Sequence, residues 1–296
     1  MGNNGMRKRI LAIFMVLMCV CLCACGNKST FKTDKLKVCT SFYTVYDFVQ
    51  KIGGDKIEII NLVPSGVEPH DWEPNPRDLV ILEQADVLVC NGLGMESWLS
   101  KITNSVNMDK LEVVEISSGV KEIKGDPHVW LNPLNVKIEL KNIADALIRL
   151  DKQNETYYRD NYDKYAREID KLDDEYITRL SNCTRNEIVV THKAFGYLCD
   201  RYGLLQVALQ GVTNDGEPSM QKISETIKVI REKDIKTIFA ENAIDEKIMK
   251  TIAKETGSTI SRLETLENVT GQDIENGREY FSIMRSNLDA LCLALY

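Results

Sequence analysis

The chain has 296 residues, of which 44% are apolar and 27% charged, so it is long enough for one large domain or two ordinary ones. These proportions exclude a disordered tail, a collagen and a polytopic membrane protein. The formal charge of −7 falls by three, to −10, if the chain is cut before Cys25, because three basic residues at positions 7–9 are the only charges before it. We expect no nucleic-acid partner for so acidic a chain.

The first 25 residues have the pattern of a secretion signal. Three basic residues precede an unbroken apolar run over residues 10–22, which is too short to span a bilayer comfortably. Leu22-Cys23-Ala24-Cys25-Gly26 then resembles a bacterial lipobox, in which Cys25 becomes the lipidated N-terminus. Ordinary secretion with cleavage nearby, or an uncleaved anchor, is the alternative. We expect a lipid-anchored protein on the outer face of the bacterial cell membrane.

Short apolar runs alternate with helical patterns from Leu36 onward. This alternation predicts βαβ units and a mainly parallel sheet. The predicted strands cover residues 36–39, 57–63, 87–90, 113–116, 188–191, 204–209, 237–240 and 259–263. The last helix is predicted over about residues 277–295.

One long amphipathic helix is predicted over roughly residues 153–181. Residues 134–195 contain neither Gly nor Pro, and large apolar side chains recur there at steps of four and three. They are Tyr158, Tyr162, Tyr165, Ile169, Leu172 and Tyr176. A coiled-coil arm is the alternative, but the βα patterns on both sides favour a packed connector.

The fold class that follows is α/β, with two parallel-sheet lobes bridged by one long rigid α-helix. The predicted parts are a signal peptide over 1–24, a lipidated N-terminus and tether over 25–35, an N-terminal lobe over 36–150, the connecting helix over 151–182 and a C-terminal lobe over 183–296.

The three histidines of the chain, His70, His128 and His192, lie beside predicted strand ends or in rigid loops. Ligands of open parallel sheets bind beyond the carboxyl ends of the strands, so the three could meet in a cleft between the lobes. Taken alone, a histidine in a loop is usually a surface or capping residue. Together, three imidazoles suit Zn²⁺, which prefers four ligands, and a carboxylate would complete the set.

Four motifs in this order resemble those of the metal-binding lipoproteins of bacterial zinc and manganese ABC importers, the cluster A-I solute-binding proteins. The resemblance covers nearly all of the mature chain. The motifs are Pro69-His70-Asp71-Trp72-Glu73-Pro74, Asp126-Pro127-His128-Val129-Trp130-Leu131, Thr191-His192-Lys193-Ala194-Phe195 and Tyr280-Phe281-Ser282-Ile283-Met284. The family's fold is two α/β lobes joined by one long helix, with the metal in the cleft between them.

This resemblance implies that His70, His128 and His192 are metal ligands. The family's fourth ligand is a carboxylate of the second lobe, and the matching segment, residues 263–270, points to Glu267. Glu264 is the competitor, and Asn268 stands where the zinc-type pattern has Gly. The stretch of residues 117–125 also lacks the His-rich loop that many zinc members carry.

Several neighbouring residues have two possible roles. Trp72 and Trp130 each follow a candidate ligand by two residues, and would wall the site or simply pack in the core. Asp71 and Asp126 would orient imidazoles or cap turns. Glu241, at a strand end, would buttress His192 or pair with a Lys.

The function implied is that of a monomeric, non-enzymatic binding protein that captures Zn²⁺ and delivers it to the membrane permease of an ABC importer. Mn²⁺ is the less favoured ion, because nitrogen donors suit Zn²⁺ better. A secreted zinc hydrolase is an alternative, although the chain lacks HExxH and three His with one Glu would close the tetrahedron. An adhesin or signalling lipoprotein with a structural metal is another.

Overall fold

A four-stranded parallel sheet forms from the first half of the chain. The computed structural model describes residues 30–102, 106–212, 217–241 and 245–296, so Cys25 and the predicted signal peptide lie outside the described residues. The sheet has the order β2-β1-β3-β4 and all its pairings are parallel. Its strands are β1 (Leu36–Thr40), β2 (Ile57–Asn61), β3 (Val87–Cys90) and β4 (Glu112–Glu115).

Four helices accompany this sheet, and two of them begin at the same local signal. They are α1 (Tyr43–Gly53), α2 (Pro76–Leu82), α3 (Leu99–Ile102) and α4 (Pro133–Leu150). Asn75 and Asn132 cap the N-termini of α2 and α4, and each is followed by a proline in the first helical turn. An Asn side chain satisfies an orphan N–H group there, and proline loses nothing at that position.

The long helix α5 spans Glu155–Leu180 and follows a short 3-10 turn, Lys152–Asn154. Its 26 residues make it about 39 Å long at about 1.5 Å per residue. The predicted seam is buried at four of its six positions and half-buried at Tyr162 and Tyr165. It packs against α4 and α1.

Two pairs of parallel strands form from the rest of the chain. β5 (Glu187–Val190) pairs with β6 (Leu205–Ala208), and β7 (Thr237–Ala240) pairs with β8 (Thr259–Arg262). β5 also lies beside β7. The helices are α6 (Gly196–Tyr202), α7 (Met220–Glu232), α8 (Asp245–Thr256), α9 (Gly271–Glu275) and α10 (Tyr280–Leu295).

The predicted fold class, parallel-sheet α/β with one long helix, is confirmed. All eight predicted strands are present, with ends displaced by no more than two residues. The last helix starts later than predicted, at Tyr280, because Glu279 and Ser282 form a capping box there. None of the helices in the described part of the chain has the length and apolar character needed to cross a bilayer. The domain boundaries stay a prediction.

Candidate metal centre

The candidate ligands all lie in loops at the ends of regular elements. His192 follows β5 by two residues, and Glu267 follows β8 by five. His128 directly precedes the 3-10 turn Val129–Leu131, and His70 lies in the loop between β2 and α2. The loops therefore bring together residues that are up to 197 positions apart in the sequence.

Three imidazoles converge on the carboxylate of Glu267. Its Oε1 lies 3.0 Å from His70 Nε2 and 2.9 Å from His128 Nε2, and its Oε2 lies 3.6 Å from His192 Nε2. The His70 and His128 Nε2 atoms are 3.3 Å apart. Side-chain exposure is 6% at His70 and no more than 1% at the other three residues. The sequence prediction thus names four side chains that form one buried cluster.

Two further carboxylates orient two of the imidazoles. His128 Nδ1 donates to Asp126 Oδ1 at 2.7 Å, and His192 Nδ1 donates to Glu241 Oε1 at 2.7 Å. Glu241 also accepts from the hydroxyl of Thr191. Such carboxylates fix the ring and leave Nε2 to face a metal. His192 Nε2 is buried and has no hydrogen-bond partner, which fits a site that receives a cation.

The two competing glutamates have different environments. Glu264 pairs with Arg278 and, at 2.9 Å, with Arg262. Glu267 has the three imidazoles around it instead and belongs to both groups of side chains whose donor atoms lie within 4.8 Å of one another. The geometry therefore favours Glu267 over Glu264 as the fourth ligand.

The loop that carries Glu267 is held through its backbone. The carbonyl of Glu264 accepts from Asn287 Nδ2, that of Thr265 from Trp130 Nε1, and that of Leu266 from the Thr44 hydroxyl, each at 2.7 Å. Leu266 has φ +66°, a conformation that costs a residue with a side chain free energy. Sequence reasoning missed these contacts, since no local pattern relates Thr44 or Asn287 to this loop.

The carboxylates and imidazoles of the centre shift one another's pKa values. Burial alone would lower the pKa of His128, but Glu267 and Asp126 outweigh it and raise that pKa to about 10. The pKa of His192 is also raised, because Glu241 and Glu267 outweigh burial. Burial would raise the pKa of Glu267, but His128 and His70 hold it well below its usual range. Without metal, the His128 imidazole is therefore held in its charged form beside the ionised carboxylate of Glu267.

The two predicted tryptophans have different neighbours. Trp130 is buried with its ring centroid 5.4 Å from that of His128, so it walls the site. Trp72 packs edge-on against Trp98 instead, at 5.2 Å between centroids, and Asp71 is exposed.

Glu68 is a carboxylate that the sequence prediction missed. It lies two residues before His70, whose backbone N–H donates to it at 3.5 Å. Burial and the charge of Glu267 raise the pKa of Glu68 to about 8. The signal for it was its place in Glu68-Pro69-His70, directly before the first motif.

A parallel-sheet α/β fold with one long helix and a buried imidazole–carboxylate cluster defines a metal-binding solute-binding protein. The family described as "Zinc-uptake complex component A periplasmic" matches residues 38–294, and the chain belongs to this family, ZnuA.

Three proteins similar to this chain are zinc-uptake or metal-dependent proteins of bacteria. The high-affinity zinc uptake system protein ZnuA of Bacillus subtilis is 35% identical over 97% of this chain and 98% of its own length. The crystal structure of the metal-dependent lipoprotein YcdH from Bacillus subtilis has TM-score 0.82 and 37% identity, over 88% of this chain and all of that one. The Zn(II)-bound ZnuA-like domain of Streptococcus pneumoniae AdcA has TM-score 0.80 and 31% identity, over 88% and 99%.

Proposed function

We propose that this protein captures Zn²⁺ outside the cytoplasmic membrane and delivers it to the permease of an ABC-type importer. The observation that carries the proposal is the convergence of three imidazole Nε2 atoms on the buried carboxylate of Glu267. Three nitrogens and one oxygen are a set that Zn²⁺ accepts in tetrahedral geometry. The zinc-related names of the similar proteins agree with this donor set.

His70, His128, His192 and Glu267 are the proposed ligands. Asp126 and Glu241 hold two of the rings from behind, so the donors need little rearrangement when the ion arrives. Four protein donors leave no open position for a reactive water, which a catalytic zinc site requires. We therefore assign the centre to carriage of the ion rather than to hydrolysis.

The proposed setting is a monomer tethered to the membrane. Lipidation at Cys25 and the tether over residues 25–35 would keep the folded part within reach of a permease. The related YcdH is described as a lipoprotein. Incorporation of a labelled fatty acid tests this: wild type should carry the label, and Cys25→Ala should not. Equal labelling of the two would contradict the anchor.

Zinc affinity of ligand variants tests the site. We expect Glu267→Ala to bind Zn²⁺ more weakly than wild type in competition with a chelator, because one anionic donor is lost. His192→Ala should bind Zn²⁺ more weakly still, because it removes the only proposed nitrogen ligand that the second half of the chain provides. A loss of at least tenfold at either position is expected, similar to the effect of losing an orienting carboxylate.

Glu264→Ala is the matched control, three residues away on the same loop. Its carboxylate is engaged by Arg262 and Arg278, so its removal should change stability more than zinc affinity. Loss of affinity in Glu264→Ala but not in Glu267→Ala would reverse the assignment. Unchanged affinity in all the ligand variants would remove the basis of the proposed function.

A further inference from the structure

The loop before Glu267 is fixed at three consecutive carbonyls. The side chain of Asn287 donates to the carbonyl of residue 264, that of Trp130 to residue 265 and that of Thr44 to residue 266. Each donor lies 2.7 Å from the carbonyl oxygen. We call these three contacts the loop clamp. The donors come from α10, the turn before α4, and α1, and none is more than 2% exposed.

The Asn287 side chain makes two hydrogen bonds to the backbone of Glu264, one as acceptor and one as donor. Its side-chain oxygen accepts from the backbone N–H of Glu264 at 2.9 Å, while its amide donates to the carbonyl of the same residue. The clamp also holds Leu266 in the left-handed region, at φ +66°. A residue with a side chain leaves that region when nothing restrains it. The backbone that directs Glu267 is thus set from outside the loop.

A fixed carboxylate limits the number of oxygen ligands that the centre can offer. Zn²⁺ is satisfied by four donors, whereas Mn²⁺ takes a larger, oxygen-rich set. Both oxygens of Glu267 already face imidazole nitrogens, so to serve Mn²⁺ the centre would have to admit further oxygen ligands such as water, and the loop that carries Glu267 would have to withdraw to make room. The surrounding side chains are buried, and the clamp opposes displacement of the loop.

We propose that the loop clamp is what makes this centre discriminate against Mn²⁺, with Thr44 and Asn287 as positioning residues that act through Glu267. The inference rests on the proposed zinc function, which it deepens by assigning the source of selectivity. Donor type alone gives some preference for Zn²⁺; the clamp adds to it by holding the donor count at four.

The test is the ratio of the dissociation constants for Mn²⁺ and Zn²⁺, measured by chelator competition on the mature protein. Thr44→Val keeps the shape of the side chain and removes its hydroxyl, and Asn287→Ala removes both contacts at residue 264. We expect each variant to lower the ratio by about tenfold, mainly through stronger Mn²⁺ binding. Thr44→Ser, which keeps the hydroxyl, should restore the wild-type ratio.

Tyr176→Phe is the matched control. It removes a buried hydroxyl that donates at 2.7 Å to the carbonyl of Met284 on α10, a contact that is not part of the loop clamp. Its ratio should equal that of wild type. Thermal unfolding of each variant checks that it is folded. If Asn287→Ala does not fold, the result for Thr44→Val alone decides the test.

Two results would overturn the inference. One is a wild-type ratio in folded Thr44→Val and Asn287→Ala; the other is an equal loss of both ions, which is what general damage to the site produces. Both differ from failure of the proposed function, which would appear as absence of zinc binding in the wild-type protein itself.

Discussion

Gly196 lies against the carboxylate that orients His128. A Cβ atom at this position would lie 2.2 Å from Asp126 Oδ2, and Asp126 is 3% exposed, so it has little room to withdraw. We expect Gly196→Ala to push Asp126 away from His128 Nδ1 and to weaken zinc binding by about tenfold to a hundredfold. Chelator competition measures the change.

Gly271→Ala is the control for that substitution. Gly271 is the first residue of α9, and a Cβ there would meet nothing within 4 Å. Its zinc affinity should match that of wild type. Wild-type affinity in Gly196→Ala as well would mean that Asp126 is dispensable for the orientation of His128.

Zinc must displace protons from this centre. His128 donates from Nδ1 to Asp126 and faces Glu267 with Nε2, and its pKa is raised to about 10. At pH 7.5 the metal-free imidazole is therefore charged and must lose a proton before Nε2 can bind the ion. Calorimetry in buffers of different ionisation enthalpy should show about one proton or more released, and affinity should rise with pH up to about 10.

The same pKa shift determines how the stability of the metal-free protein changes with pH. Because the folded-state pKa of His128 is above its unfolded value of about 6.5, its contribution is complete below pH 6.5 and is lost as pH rises through about 10. Asp126→Asn removes one of the two carboxylates and should reduce the proton release at pH 7.5. No release in wild type would show that His128 is neutral before zinc binds.

Helices α5 and α6 are joined by a buried carboxylate. Asp173 on α5 accepts from Arg201 Nε at 2.9 Å, from Arg201 Nη2 at 2.5 Å and from the hydroxyl of Tyr202 at 2.9 Å. Its loss leaves these donors unpaired, so Asp173→Ala should reduce the free energy of unfolding by about 2 kcal/mol. That corresponds to a fall in Tm of about 4–8 °C.

Asp170, on the same helix, provides the comparison. It pairs with Lys137 at 2.9 Å, but its side chain is 52% exposed. Asp170→Ala should change the free energy of unfolding by about 0.5 kcal/mol or less. Similar losses in the two variants would show that burial of Asp173 is unimportant to the junction of α5 with α6.

The elements were predictable from sequence because their signals are local. The seam of α5 and the apolar strands repeat over a few residues, and α2 and α4 begin at Asn-Pro pairs. The preference for Glu267 over Glu264 came only from the family resemblance, because the features that separate the two, the arginines that approach Glu264 and the backbone of Leu266, leave no local signal in the sequence. The closeness of Gly196 to Asp126 likewise links residues 70 positions apart and leaves no trace in any periodic pattern.

The whole protein should be stabilised by its cargo without depending on it. The main core is built from apolar side chains contributed by both halves of the chain, so the fold has support besides the metal. With free Zn²⁺ at about 100 times the dissociation constant, linkage adds about 2.7 kcal/mol to the free energy of unfolding. Thermal unfolding should then show a Tm about 5–11 °C higher.

Removing the zinc ion from the protein distinguishes a transported ion from one that the fold requires. Excess EDTA should return the Tm to the metal-free value while circular dichroism at 25 °C stays unchanged. His192→Ala should show a much smaller zinc-dependent shift at the same free zinc concentration. Unfolding of the wild-type chain by EDTA would instead indicate that the metal is a permanent part of the fold.

Trp130 also gives the protein an optical signal of its own. Its indole N–H is bound to the carbonyl of Thr265, and its ring lies beside that of His128, whereas the other two tryptophans of the chain pack against each other. A charged imidazole next to an excited indole quenches its emission, and zinc takes the proton away from that imidazole. Capture of the ion should therefore brighten the intrinsic fluorescence, so that loading and release can be followed in real time without a dye.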